Sequence, residues 1–254
     1  MKNFRHIVLA ASNSGFGDAF DNKFCYNTYF ISKFLSMHIR TYRISTGGDF
    51  NMLFCNITKK EDSCKEFADS LTVQIHLSDE ILNGYMNMQS DKERYNFYLA
   101  LLERGYKIAS HDRAFPTDIL LNLHTQLKLN NYKCEWLFKK KTIKEYGIKV
   151  VLDHVLTSCN YKLRLSLFDT KNQFITEGCI YQTYPDDIFF NKDVRHLVVE
   201  DGKLIITDFL DHPQFVCELS DLSNGIVKSV CVDANTRKYI PNEENREKFE
   251  RLKW

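Results

Sequence analysis

Tyr161-Lys-Leu-Arg-Leu-Ser-Leu167 alternates apolar and polar side chains, which puts Tyr161, Leu163, Leu165 and Leu167 on one face of a strand and Lys162, Arg164 and Ser166 on the other. One face of such a strand is wet and the other buried, the pattern of an antiparallel sheet covered on a single side. The chain keeps this character from Tyr132 to Tyr239. Asp201-Gly202 separates Val194-Arg-His-Leu-Val-Val199 from Lys203-Leu-Ile-Ile-Thr207 and is the strongest hairpin signal in the sequence. Asn224-Gly225 marks another tight turn. A short helix is expected after Pro241, with Asn242 as its cap, Glu243 and Glu244 in its first turn and Lys248 and Arg251 later, an order that suits the helix dipole.

Upstream the chain reads differently. Residues 4–11 form an apolar run that is too short to span a bilayer and reads as a buried first strand rather than a signal-peptide core. Residues 23–38 are balanced between helix and strand: Phe20, Phe24, Ile31 and Leu35 approximate a helical stripe, while Thr28-Tyr-Phe-Ile31 is β-prone. A hairpin is expected from Ile39–Ser45 through Gly47-Gly48 into Phe50–Ile57. Ser90-Asp-Lys-Glu93 is a capping box, followed by Tyr95, Tyr98, Leu99, Leu102 and Tyr106 on one helical face, with Gly105 placed to end the helix. Pro116 opens a second helix whose stripe is Ile119, Leu120, Leu123 and Leu127.

Strands, then helices, then a long β region predict an α+β fold: antiparallel β-meander sheets with two or three packed helices and a C-terminal half that is mostly β. A single globular unit is expected, divisible into a mixed α/β lobe over 1–131 and a β-rich lobe over 132–254 with the short terminal helix. The composition, 44% hydrophobic and 26% charged over 254 residues, is that of an ordinary globular chain. A formal net charge of +1 supplies no global field towards nucleic acid or anionic lipid. The eight cysteines are sparse, lie mostly in apolar runs and form no Cys-x-x-Cys pair. They read as free thiols of a cytoplasmic protein, without a thiolate zinc site.

Four stretches carry candidate chemistry. Ser12-Asn-Ser-Gly-Phe-Gly17 follows the first strand and would cradle a phosphate if a helix began immediately after it. It lacks both the third glycine of the dinucleotide fingerprint and Gly-Lys-Ser/Thr, and reads as an ordinary turn. The adjacent pairs His111-Asp112, Asp153-His154 and Asp211-His212, with Asp208 as the further ligand, hold the residue types of general acid–base or metal chemistry. Neighbours on a strand point to opposite faces, so Asp153, His154, Asp208 and His212 form a site only if different elements bring them together. Lys133, Lys139-Lys-Lys141, Lys144 and Lys149 interleave with Trp136, Phe138 and Tyr146, a pattern for phosphates and stacked bases that Glu135 and Glu145 interrupt. A solvated or edge-protecting role suits these lysines better, so nucleic acid is not the expected partner.

The fourth stretch, Tyr181-Gln-Thr-Tyr-Pro-Asp-Asp-Ile-Phe-Phe190, joins tyrosines to paired carboxylates. Tyr181, Tyr184, Asp186 and Asp187 are the expected binding surface, suited to a basic protein. No motif calls for a cofactor or a membrane. The expected function is that of a cytoplasmic inhibitor or immunity-type protein acting by surface complementarity. The layout of helices flanked by a twisted meander loosely resembles that of bacterial toxin-immunity proteins, a resemblance of layout rather than motif. The alternatives are a metal-assisted hydrolase or nuclease using the Asp/His residues of the β-rich half, and a nucleic-acid-associated protein using the lysines of 133–149.

Overall fold

The computed structural model describes residues 2–47, 49–111, 113–232 and the backbone of 239–241. It separates between Cys134 and Glu135 into two compact units. The expected helix after Pro241 lies outside the described residues, as does Asp112. Together the units make an α+β fold, mixed in the first and predominantly β in the second.

The first unit runs β1 (His6–Ala10), α1 (Asp18–Ile39), β2 (Met52–Thr58), β3 (Ser63–Phe67), β4 (Ser70–His76), α2 (Asp79–Met86), α3 (Asp91–Ala109) and α4 (Thr117–Leu129). Its sheet has the order β1-β2-β4-β3, with β1, β2 and β4 parallel and β3 antiparallel to β4. The hairpin expected over 39–57 does not form. Ile39 is fully buried at the end of the α1 stripe and keeps the chain helical, and a 3-10 turn follows at Arg40–Tyr42. The chain therefore returns as a helical crossover, which brings β2 back parallel to β1.

The β-prone Thr28–Ile31 segment is helical because its polar atoms have a tertiary use. β1 is an edge strand whose outward amides and carbonyls belong to Ile7, Leu9 and Ala11. The Ser36 hydroxyl accepts from Ile7 N at 2.9 Å and donates to Ile7 O at 3.2 Å. Ser32 Oγ accepts from Leu9 N at 3.1 Å, and Thr28 Oγ1 donates to Leu9 O at 2.8 Å. Cys25 Sγ lies 3.4 Å from both Ala11 N and Ala11 O. One helix face thus takes the place of a further strand: helix positions near i, i+4 and i+8 advance about 6 Å per step, close to the two-residue repeat of a strand.

The capping box of α3 forms as expected, with Ser90 Oγ accepting from Glu93 N at 3.2 Å and Glu93 Oε2 accepting from Ser90 N at 3.0 Å. Gly105 does not end the helix. It lies inside α3 where the helix meets the sheet, and a Cβ there would stand 2.5 Å from Cys55 Sγ. Glycine is needed for close approach, not for a turn. Nearby, His124 of α4 is 5% exposed and its Nε2 is 3.0 Å from the Tyr106 hydroxyl. Burial pushes the imidazole down to about 4.

The second unit contains β5 (Cys134–Ile143), β6 (Ile148–Leu156), β7 (Tyr161–Asp169) and β8 (Phe174–Thr183) in one sheet of that order. After α5 (Asp187–Phe190) come β9 (His196–Glu200), β10 (Lys203–Thr207), β11 (Pro213–Glu218), α6 (Leu219–Ser223), β12 (Val230–Val232) and β13 (Tyr239–Pro241), the strands forming a second sheet. Tyr161, Leu163, Leu165 and Leu167 are all fully buried, as their alternation predicts. The β9–β10 hairpin turns on Asp201 and Gly202, with φ of 48° and 73° and Glu200 opposite Lys203. Asn224-Gly225 instead closes α6: Gly225 N donates to Leu222 O at 3.0 Å and Ile226 N to Asp221 O at 2.9 Å, a Schellman motif. All eight cysteines carry free thiols. No helix among the described residues is long and apolar enough to cross a membrane.

Replacing Ser36 with alanine strands both backbone groups of Ile7 in a buried setting, and chemical denaturation should show a loss of about 1–3 kcal/mol. His124 gives the N-terminal unit an acid-sensitive step. The unfolded chain takes up a proton near the ordinary histidine value of about 6.5, whereas the folded chain resists until about 4. Stability should therefore fall as pH drops from about 6.5 towards about 4, with a shallower fall over that range in His124→Gln, read from denaturation midpoints.

Candidate functional site

The expected metal or acid–base cluster is not assembled. Asp153 and His154 point to opposite faces of β6. His154 is buried beneath Trp136, with ring centroids 4.7 Å apart, and its Nδ1 is 2.6 Å from the Tyr161 hydroxyl. Asp153 lies on the other face, 3.6 Å from Arg164, whose guanidinium also donates to Glu135 at 2.8 Å. Asp208 and His212 sit together in the β10–β11 turn, where Asp208 has a structural task described below. Among the described residues, no group of three or more His, Cys, Asp or Glu is arranged to hold a metal ion.

Lys139, Lys140 and Lys141 are exposed on β5, an edge strand, where charge discourages pairing with a second sheet. The rings that would stack on bases are engaged elsewhere: both Trp136 and Phe138 pack on His154. Ser12–Gly17 does run directly into α1, the geometry of an anion cradle, but the chain supplies its own anion. Asp21, nine-tenths buried, accepts from Ser14 N at 3.1 Å and from the Ser14 hydroxyl, while Phe16 N donates to Ser14 Oγ at 3.0 Å. The Ser14 amide and hydroxyl of this loop are thereby already bonded to a carboxylate of the chain itself.

The stretch 181–190 is only partly at the surface. Tyr181 is not part of an exposed aromatic surface. It is 8% exposed, stacks on Phe215 with centroids 4.3 Å apart, and donates to Asp193 Oδ2 at 2.9 Å. Its ring faces inwards beside a β-bulge: the β7–β8 register shifts at Ile180, so that Ile180 and Tyr181 are both buried. Burial is the main cause raising the Asp193 carboxyl above the usual range, with the nearby Asp208 charge adding to it and the Tyr181 hydroxyl bond opposing it. Tyr184 is half-buried against Phe189, 5.3 Å between centroids.

What the segment presents outwards is different. Asp186 Oδ1 accepts from Ile188 N at 2.9 Å and starts the single turn of α5. Phe190 fixes that turn by stacking on Tyr161, with centroids 3.9 Å apart and planes 7° from parallel. With Phe190 turned into the core, Ile188 and Phe189 are left facing solvent, 67% and 38% exposed.

A second tip stands beside the first. Asp208 Oδ1 accepts from Leu210 N at 2.8 Å and His212 N at 2.9 Å, and Oδ2 accepts from Gln214 Nε2 at 3.0 Å. Burial alone would raise the Asp208 carboxyl, but the amides of His212 and Leu210 outweigh it and hold the group below the usual carboxylate range. The turn so shaped holds Phe209 and Leu210 outwards, 59% and 58% exposed. Phe209 N donates to Lys192 O at 3.3 Å and fastens this turn to the segment following α5. Four exposed apolar side chains, Ile188, Phe189, Phe209 and Leu210, therefore sit on two joined tips. Asp186, Asp187 and Asp211 accompany them.

Only Asp186 and Asp187 of the expected binding residues belong to these tips, with Tyr184 half-buried at their base. Ile188 and Phe189 lay within the quoted stretch, and Phe-Leu between two aspartates at 208–211 was the available signal for the second tip. The first unit contains cavities at two places of interest. One of about 550 Å³ lies between α3 and α4, where Tyr95 and Tyr132 are 5.2 Å apart and Tyr132 donates to Asn96 at 2.8 Å. The other, of about 380 Å³, is lined by Arg5, His6, Arg40 and Arg43 with Asn3 and Phe4. Comparison with protein families, characterised proteins and solved structures finds no match to this chain.

Removing the Asp208 carboxylate should release the second tip. In Asp208→Ala, hydrogen exchange at the Leu210 and His212 amides should accelerate while exchange in β10 stays slow. Asp211→Asn, which keeps a residue tolerant of positive φ, should leave both amides as they were.

Proposed function

We propose that this protein acts by binding another protein, with the tips at Ile188–Phe189 and Phe209–Leu210 as the contact surface and a basic patch on the partner opposite Asp186, Asp187 and Asp211. An inhibitor or immunity-type role, in which the chain occupies its partner rather than transforming it, is the form of this reading. The observation that supports it is the outward display of four large apolar side chains by turns that are themselves tightly specified. Burying a side chain of this size is worth about 1.5–3 kcal/mol, so two or three of them suffice for a binding hot spot. The turn geometry reduces the ordering cost on association, since the Asp208 and Asp186 bonds already fix both backbones. The three carboxylates, set against Lys192, favour encounter with a cationic surface and oppose an anionic one.

A photo-crosslinking residue at position 209 or 210 should capture the partner from native lysate, and the captured protein can then be purified for kinetics. Phe209→Ala with Leu210→Ala should raise the dissociation rate at least tenfold. Asp186→Asn with Asp187→Asn keeps a capping oxygen at 186 but removes charge, and should slow association at low ionic strength with little change in dissociation. Unchanged kinetics in both double variants would exclude this surface as the interface.

A further inference from the structure

Three arginines line one small cavity in the first unit, at the end of β1 opposite the Ser12–Gly17 loop. Arg5 comes from the approach to β1, Arg40 from the turn after α1, and Arg43 from the residue that ends that turn. The cavity they line with His6 measures about 380 Å³, large enough for a small metabolite, and no carboxylate is among its lining residues. None of the three arginines is within ion-pair distance of a carboxylate among the described residues, although arginines elsewhere in the chain are: Arg104 meets Asp62 at 2.7 Å and Arg164 meets Glu135 at 2.8 Å.

Arg40 is hydrogen-bonded at the cavity, and all three arginines are exposed at its mouth. Arg40 Nε donates to Arg5 O at 3.1 Å, and its terminal nitrogen donates to His6 Nδ1 at 3.0 Å. The same nitrogen lies 3.5 Å from His6 Nε2, and because arginine can only donate it faces a lone pair of the neutral imidazole. Burial lowers its affinity for a proton, and Arg40, Arg5 and Lys33 lower it further. Phe4, fully buried, forms part of the lining, and the chain entering β1 is tied down by Phe4 N to Ile44 O at 2.9 Å and Arg5 N to Asn51 O at 2.8 Å. Arg43 adopts φ 52°, a left-handed conformation at the rim of the cavity.

We infer that this cavity is a binding site for a small phosphorylated ligand, a phosphate or pyrophosphate ester whose oxygens take the donors of Arg5, Arg40 and Arg43. Guanidinium groups match phosphate oxygens in pairs, and an anion among them offsets the like-charge repulsion that the empty cluster carries. Carboxylate ligands would meet the same charge but fewer of the donors. The cavity belongs to the first unit and the tips assigned to protein binding to the second, and its test does not rest on theirs.

The test uses the full chain with inorganic pyrophosphate, inorganic phosphate, a short single-stranded oligonucleotide and, as control, sodium chloride at matched ionic strength. Calorimetry and thermal unfolding should show saturable binding and stabilisation by pyrophosphate, weaker with phosphate and absent with chloride. The His6 imidazole, followed by NMR, should take up a proton more readily when pyrophosphate is bound, because the anion screens Arg5, Arg40 and Lys33 and neutralises Arg43 at the rim. Arg43→Asn removes one guanidinium while suiting the positive φ, and Arg5→Gln removes another; neither disturbs the Arg40 bond to His6. Each should weaken pyrophosphate binding at least tenfold, with an unfolding midpoint in ligand-free buffer no lower than that of the wild type. The inference is overturned if pyrophosphate does no more than chloride, if both variants bind it as the wild type does, or if the oligonucleotide binds while pyrophosphate does not.

Discussion

The edge of β1 is the place on which the first unit depends. A strand at the end of a sheet exposes alternate amides and carbonyls, which must be hydrated, paired with another strand or otherwise bonded. Here a helix meets the requirement. Ser36, Ser32, Thr28 and Cys25 supply side-chain partners to Ile7, Leu9 and Ala11 along one line, so α1 is fixed in both rotation and axial position against the strand. That placement makes the crossover to β2 parallel and carries Ile39 to its buried position. It also sets where the helix starts, with Asp21 next to the Ser12–Gly17 loop. The serines and threonine lower the intrinsic helix propensity of α1, and tertiary bonding outweighs that loss.

The second unit is organised by an aromatic cluster on one face of its first sheet. Tyr161 lies against Phe190, His154 against Trp136, and the Tyr161 hydroxyl meets His154 Nδ1. The cluster has a consequence at the surface. By drawing in Phe190, it turns a sequence of three consecutive large apolar residues, Ile188-Phe-Phe190, into one anchor and two displayed side chains. The Asp208 turn reaches the same result by hydrogen bonding instead of packing. Exposed apolar residues are common on proteins and singly mean little. Four of them on two turns joined by a backbone bond, each turn fixed by a buried or multiply bonded residue, make a more specific surface.

Electrostatics distinguishes two faces that a net charge near zero conceals. The carboxylates of 186, 187 and 211 accompany the apolar tips of the second unit, and the arginines at 5, 40 and 43 line a cavity of the first. In the loop that looks most like an anion site in the sequence, Asp21 already takes the Ser14 amide and hydroxyl. The anion-binding character of this chain therefore lies with side-chain guanidinium groups near the C-terminal end of α1, where the helix dipole would by itself favour a cation.

Periodicity and local turn chemistry were enough to specify much of the secondary structure. The alternation of 161–167, the Asp201-Gly202 hairpin, the Ser90 capping box and the Leu99–Leu102 face follow from contacts within a few residues, and so could be read directly. The α+β class follows from their order along the chain. Long-range partners decided the rest. The helical state of 28–39 depends on hydroxyls meeting an edge strand distant in sequence, and Gly105 serves the approach of Cys55 rather than a helix end. Tyr181 turned inwards because Asp193 and Phe215 were waiting for it. Asp153 and His154 were separated by the strand pleat, and Arg5 was joined to Arg40 and Arg43 only when α1 returned the chain to the start of β1. Sequence by itself determined which segments could bury one face; tertiary structure decided which polar and apolar groups were used up in doing so, because hydrogen bonding and burial are satisfied between elements and only the side chains left over can form a site.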